Sequence, residues 1–195
     1  MKFKRFTAAL AATIMALSTV TASASATEVY EANVIPATSQ STVTYGSISN
    51  ILPQTQITAY SCATTCAAMC TKQSIYDIQA AGFDINYTDW YGIGEKYKYS
   101  VEWLGRAEIN GEQDGLRKIY NYLRAGYPVC VWINSTESGT HWVTVYKYSG
   151  DGVNFKASDF LCIDPARCWT STTRNRPLSQ ALNYAGVYNT VVFRK

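Results

Sequence analysis

Residues 56–69 read QITAYSCATTCAAM, a polar loop followed by a run of small residues that contains two cysteines. Ser61 is a suitable N-cap, so a small-residue helix that is suited to burial is predicted from Cys62 to about Thr71. At the N-terminal end of such a helix, free backbone N–H groups and the helix dipole favour a thiolate. The pattern therefore marks Cys62 as a candidate nucleophile.

Cys66 and Cys70 follow one and two helical turns later on the same face, and we expect them to be protonated core residues. A metal site made by the three cysteines is conceivable, but the paired, short-spaced thiols of zinc sites are missing, and no metal or cofactor is predicted. Core positions are also expected for Cys130 and Cys162, within apolar strands. The sequence leaves open which disulfides, if any, join Cys66, Cys70, Cys130, Cys162 and Cys168.

Residues 1–26 have a basic start, an apolar stretch and a small-residue end at Ala24-Ser25-Ala26. This arrangement is typical of a secretory signal peptide. The apolar stretch is too short for a comfortable membrane span. We therefore expect a secreted, extracellular protein without a membrane anchor.

The charge balance depends on this leader. The chain has 17 basic and 14 acidic residues, but the leader holds three of the basic ones and none of the acidic ones. The rest of the chain is neutral, so it lacks the basic surface that a nucleic-acid-binding protein needs.

Residues 27–50 are rich in Ser and Thr and are expected to form a flexible linker or short pro-region. Residues 51–195 are expected to form one domain with a sizeable core.

Within this domain, helices are predicted over 74–81 and between Leu116 and Leu123, where apolar residues recur at helical spacing. An irregular loop is expected at 83–100 and a short helix at 100–106. The later part has mostly strand patterns, with a helix near 178–184. Strands are predicted over 129–134, 141–148, 160–164 and 187–193. Helices followed by an antiparallel sheet indicate an α+β fold.

The chain has one histidine, His141, at the start of a predicted strand. Asp164 lies at the end of the next strand, so antiparallel pairing would bring its carboxylate to the imidazole. Gln56 precedes Cys62 by six residues, and its amide can join the Cys62 backbone N–H in an oxyanion hole. These residues would supply a nucleophile, a base, an acid that orients the base, and an oxyanion donor. Together these four groups are typical of the active site of a cysteine hydrolase.

The stretch QITAYSCATTCAAM resembles the glutamine, five residues, then cysteine-helix motif of papain-like cysteine peptidases. Downstream, LRAGYPVCVWIN, GTHWVTVYKY and FLCIDPA are similar to the bacteriocin-leader-processing peptidases and their stand-alone secreted relatives. The resemblance covers roughly residues 52–168. It implies a papain-like α+β fold, with the nucleophile helix packed on a C-terminal antiparallel sheet.

Carried over to this sequence, the resemblance implies Cys62 as nucleophile and His141 as general base and acid. It implies Asp164 as the residue that orients the histidine, and Gln56 as oxyanion donor. Ala63 replaces the glycine that usually follows the cysteine, which we expect to affect substrate preference more than activity. The membrane and nucleotide-binding domains of transport-coupled members are missing, so a role in leader processing does not carry over.

The expected activity is hydrolysis of peptide bonds in a peptide or protein substrate, through a thioester acyl-enzyme. Two alternatives stay open: an acyltransferase or cross-linking enzyme that uses the same residues, and a catalytically silent extracellular binding module. Substrate specificity and oligomeric state are not predicted.

Overall fold

The structure is a computed structural model that describes residues 41–105, 113–135, 139–167 and 175–195. Its α-helices are α1 (Cys62–Thr71), α2 (Ile75–Ala80), α3 (Trp90–Tyr97), α4 (Gln113–Arg124) and α5 (Leu178–Ala181). Its strands are β1 (Val43–Tyr45), β2 (Ser100–Trp103), β3 (Val129–Ser135), β4 (Gly139–Gly150), β5 (Phe160–Ile163), β6 (Arg176–Pro177) and β7 (Leu182–Arg194).

The strands form one antiparallel sheet in the order β2-β7-β3-β4-β5-β6, and β1 pairs with the far end of β4. Its centre is the β3–β4 hairpin, in register from Val129 opposite Val145 to Ser135 opposite Gly139. Of the five α-helices in the described residues, four precede the central strands β3 and β4 in the chain. The predicted α+β class is therefore confirmed.

Alternating side chains of β3 divide the core into two layers, because successive residues of a strand point to opposite faces. Val129, Val131 and Ile133 pack with α4 on one face. Cys130 packs with α1, α2 and α3 on the other face. The sheet thus lies between α4 and the three N-terminal helices.

Helix α1 is almost wholly buried, as its small residues predicted. Ala67, Ala68 and Met69 are fully inaccessible to solvent. The helix ends at Lys72, whose left-handed conformation lets its N–H bond to the carbonyls of Ala68 and Met69. The predicted helix from Cys62 to Thr71 is therefore confirmed at both ends.

The prediction of a loop at 83–100 is wrong for the second half of this segment, which forms α3. Asp89 caps this helix by accepting a hydrogen bond from the Gly92 N–H. Glycine disfavours helices, so the presence of Gly92 and Gly94 argues against a helix when this segment is judged from sequence. Gly94 is needed for close packing, because a Cβ there would lie 2.4 Å from Cγ2 of Val101.

The prediction of a helix at 100–106 is also wrong, because the first four residues of this segment form β2. This strand pairs with the end of β7, from Ser100 opposite Arg194 to Trp103 opposite Val191. The pairing joins segments almost a hundred residues apart, which a local pattern does not reveal. Residues 106–112 lie outside the described part.

The linker expected at 27–50 ends earlier than predicted. Val43–Tyr45 form β1, and Val43 and Tyr45 pack against the core layer of α4. A three-residue strand among serines and threonines is too short to show a period of two. Residues 1–40, which include the predicted signal peptide, lie outside the described residues.

The helix expected near 178–184 is shorter than predicted, since β7 begins at Leu182. The predicted strands at 129–134, 141–148 and 160–164 correspond to β3, β4 and β5. Among the described residues, no helix has the length and apolar character needed to cross a bilayer.

Candidate active site

The loop before α1 places Cys62 at the helix start. Ser61 occupies the N-cap position, but its hydroxyl makes no capping bond. It accepts hydrogen bonds from the Ile57 and Thr58 N–H groups instead, at 3.2 and 3.0 Å. The predicted position of Ser61 is therefore right, whereas its side chain folds the loop rather than capping the helix.

Cys62 is half-buried, and the His141 imidazole lies close enough to act on its thiol. Burial raises the pKa of Cys62, but the His141 hydrogen bond, the Trp142 backbone N–H and the charge of His141 outweigh it and lower the pKa overall. The backbone N–H of Ala63 acts in the same direction. These donors stabilise a thiolate at the start of α1.

His141 lies near the start of β4, opposite Ile133 of β3, and is only 4% exposed. Its Nε2 lies 2.7 Å from Oδ1 of Asp164, which leaves Nδ1 for the thiol of Cys62. Burial lowers the pKa of His141, but its hydrogen bonds with Asp164 and Cys62 and the charges of these two groups raise the pKa to about 9. The imidazole is therefore held in its protonated form at neutral pH.

Asp164 directly follows β5, and the antiparallel pairing of β4 with β5, with Thr144 opposite Ile163, brings it to His141. The Ala166 N–H donates to Oδ1 of Asp164 at 2.9 Å. Burial raises the pKa of Asp164, but the His141 hydrogen bond and charge, with that N–H, lower it overall. The carboxylate is therefore charged and fixed.

Arg176 is a residue of this site that the sequence did not reveal. It lies on β6, which pairs with β5 through Cys162 opposite Arg176. Its Nη1 is 3.4 Å from Oδ2 of Asp164, and its Nη2 donates to the Gln180 carbonyl at 2.7 Å. Only the pairing of two short strands brings this arginine to the carboxylate, so no local signal could have found it.

The Gln56 loop is tied to the turn that follows Asp164. The Gln56 N–H donates to the Pro165 carbonyl at 2.9 Å. Its Nε2 donates to the Thr58 carbonyl at 3.0 Å, and the second N–H of the amide is left for another acceptor. Within the described part of the chain, its buried Oε1 has no hydrogen-bond partner. The role of Gln56 as oxyanion donor stays a prediction.

Gln54, the rival two positions earlier, has a structural role. Its Oε1 accepts from the Ile75 N–H and its Nε2 donates to the Gln73 carbonyl, both at 2.7 Å. This side chain fixes the start of α2 with its polar atoms already used. Gln56 is therefore the better candidate for an oxyanion donor.

The other cysteines of the described ranges are buried, as predicted: Cys66, Cys70, Cys130 and Cys162. Burial raises the pKa of Cys66 well above its ordinary value, in contrast to the lowered pKa of Cys62. In the same ranges, no group of three or more His, Cys, Asp or Glu residues is arranged to hold a metal ion. Cys168 lies outside the described residues.

The model of the Peptidase_C39 like family matches residues 48–194, about three quarters of the chain. The chain belongs to the Peptidase_C39 like family. No protein of curated function gives a significant match. Membership of the Peptidase_C39 like family confirms the predicted relationship to papain-like cysteine peptidases and indicates a cysteine peptidase type of function.

Proposed function

We propose that this chain is a secreted cysteine peptidase that hydrolyses peptide bonds with Cys62 as nucleophile. The observation that carries the proposal is the placement of His141 between Cys62 and Asp164, with 2.7 Å between Nε2 of His141 and Oδ1 of Asp164. The lowered pKa of Cys62 and the pKa of about 9 at His141 favour a thiolate–imidazolium pair over two neutral groups. Such a pair is ready for nucleophilic attack at neutral pH.

In the first half of the reaction, the Cys62 thiolate attacks the carbonyl carbon of the scissile bond. The oxyanion of the tetrahedral intermediate accepts hydrogen bonds from the Cys62 backbone N–H and the Gln56 side chain. The proton on Nδ1 of His141 passes to the leaving amine as the carbon–nitrogen bond breaks. A thioester between Cys62 and the acyl part of the substrate remains.

In the second half, His141 accepts a proton from a water molecule, whose oxygen attacks the thioester carbonyl. The carbon–sulfur bond breaks, the carboxylic acid product leaves, and the thiolate–imidazolium pair forms again. Asp164 stays ionised throughout and holds the ring through Nε2. Arg176 in turn holds Asp164.

Peptide cleavage tests this function directly. We would incubate the purified chain lacking residues 1–26 with a peptide library and identify the products by mass spectrometry. The wild-type and Cys66→Ala proteins are expected to cleave the same bonds, and Cys62→Ala to cleave none. Equal cleavage by the Cys62→Ala protein would refute the proposal, and products joined to an added amine would indicate acyl transfer instead of hydrolysis.

Export is the second part of the proposal, and it is supported by the signal-peptide pattern of residues 1–26. Expression of the full chain in an exporting host is expected to release a protein that begins at Thr27. N-terminal sequencing of the released protein measures this. A chain that stays inside the cell with residues 1–26 intact would contradict it.

A further inference from the structure

Cys70 and Cys130 form a thiol pair that the proposed reaction does not use. Their Sγ atoms lie 3.4 Å apart, and both residues are buried. Cys70 belongs to the last turn of α1 and Cys130 to β3, sixty residues further along the chain. A disulfide needs a sulfur–sulfur distance of about 2.05 Å, so the two sulfur atoms must move closer than 3.4 Å for one to form.

One thiol of the pair reaches a cavity. Cys70 is 4% exposed and lines a cavity of about 170 Å³, whereas Cys130 is completely inaccessible to solvent. Two lysines, Lys72 and Lys195, line the same cavity. The Lys195 ammonium lies 5.0 Å from the centre of the Tyr99 ring, which also lines it. The open side of Cys70 therefore faces a small cavity that two lysines line.

We propose that Cys70 and Cys130 are a redox-active dithiol that closes to an intramolecular disulfide, by exchange with an anionic disulfide such as oxidised glutathione that approaches Cys70 from the side of the cavity. This proposal stands apart from the peptidase reaction. The disulfide would join the end of α1, the helix of Cys62, to β3. Strand β3 pairs with β4, and β4 carries His141.

The exchange has two steps. The Cys70 thiol loses its proton as its sulfur attacks one sulfur of the donor disulfide, so a mixed disulfide forms and one donor thiolate leaves and takes up a proton. The sulfur of Cys130 then attacks the Cys70 sulfur, and its proton passes to the second donor thiolate as that group leaves. The donor disulfide is reduced to two thiols, and the two protein thiols are oxidised to one disulfide.

Peptide mapping of the full chain tests the pairing. Cys62→Ala protein, which removes the more reactive thiol, would be incubated with oxidised glutathione, alkylated and digested with trypsin without reduction. Trypsin releases Cys70 in a peptide that ends at Lys72 and Cys130 in the peptide 125–147. We expect these two peptides to be linked in Cys62→Ala and in Cys62→Ala/Cys66→Ala, and to be separate in Cys62→Ala/Cys70→Ala.

Thermal unfolding gives a second readout that does not depend on mapping. A disulfide that closes a sixty-residue loop is expected to raise the Tm of oxidised Cys62→Ala protein by roughly 5–10 °C over the reduced protein. No such difference is expected in Cys62→Ala/Cys70→Ala. Alkylation of both Cys70 and Cys130 after oxidation, or a link that uses Cys66, would overturn the proposal.

The route through the cavity has its own control. Lys72 and Lys98 are both exposed lysines in the left-handed conformation at the end of a helix, but only Lys72 lines the cavity. Lys72→Ala is expected to slow oxidation by glutathione disulfide about threefold or more, and to leave oxidation by uncharged hydroxyethyl disulfide unchanged. The proposal of an anionic donor would be refuted if Lys98→Ala slowed oxidation by glutathione disulfide as much as Lys72→Ala. It would also be refuted if Lys72→Ala did not slow this oxidation.

Discussion

Arg176 and His141 hold the two oxygens of one buried carboxylate. Nη1 of Arg176 lies 3.4 Å from Oδ2 of Asp164, and Nε2 of His141 lies 2.7 Å from Oδ1. The positive charge of Arg176 helps to lower the pKa of Asp164, which burial alone would raise. The carboxylate that orients His141 is thus itself paired with a cation on β6.

Arg176→Met is expected to raise the pKa of Asp164 and to move the acid limb of kcat/KM to higher pH. It is also expected to lower the free energy of unfolding by about 3 kcal/mol, because one partner of a buried pair is lost. Arg194→Met is the matched control, since Arg194 pairs with Glu102 at the surface with half of its side chain exposed. An unshifted acid limb in Arg176→Met would contradict this role.

Asp164→Asn keeps an oxygen that accepts from Nε2 of His141 but removes the negative charge. The hydrogen bond and charge of Asp164 raise the pKa of His141, so this pKa is expected to fall from about 9. The alkaline limb of kcat/KM should then move to lower pH by about one unit or more. Asp151→Asn, at an exposed turn, should leave the limb in place. The measurement is the pH profile of peptide cleavage, and identical profiles would count against the ion pair.

Gln56→Ala and Gln54→Ala are expected to have opposite effects. Gln56→Ala should lower kcat about 100-fold, with little change in Tm, because it removes an oxyanion donor. Gln54→Ala should lower Tm and leave kcat nearly unchanged, because Gln54 bonds to the backbone of Ile75 and Gln73. Steady-state kinetics and thermal unfolding of both variants measure the contrast. Reversed results would assign the oxyanion role to Gln54.

Gly94→Ala tests the packing of α3 against β2. The added Cβ would lie 2.4 Å from Cγ2 of Val101 and 2.9 Å from the Tyr99 carbonyl oxygen. Overpacking of this kind is expected to lower the free energy of unfolding by about 1–3 kcal/mol, although alanine favours helices. Chemical denaturation measures the change, and a stabilised variant would show that the helix has room to move.

The elements that sequence predicted best carry strong local patterns. Helix α1 follows from its small residues, and β4 from its apolar run beside His141. The contact between His141 and Asp164 could be anticipated because two consecutive strands joined by a turn pair in antiparallel fashion. The candidate triad thus needs this hairpin-like pairing and the packing of α1 on the sheet beyond local structure.

The elements that sequence missed depend on distant contacts. Strand β2 exists because it pairs with β7, which lies almost a hundred residues later. Helix α3 contains two glycines whose value lies in close packing and not in helix propensity. Arg176 reaches Asp164 only through the pairing of β5 with β6. No local pattern encodes these three relationships.

The rate of Cys62 alkylation by iodoacetamide between pH 5 and 9 tests the thiolate–imidazolium pair most directly. An ordinary thiol with a pKa of about 8.5 is less than about 1% ionised at pH 6. Because the pKa of Cys62 is lowered and that of His141 is raised to about 9, we expect Cys62 to be labelled faster at pH 6 than an ordinary thiol. We expect the fast labelling at pH 6 to be lost in the His141→Ala protein and kept in the Cys66→Ala protein. A rate that rises about tenfold per pH unit from pH 6 to 8, as for a free thiol, would contradict the account.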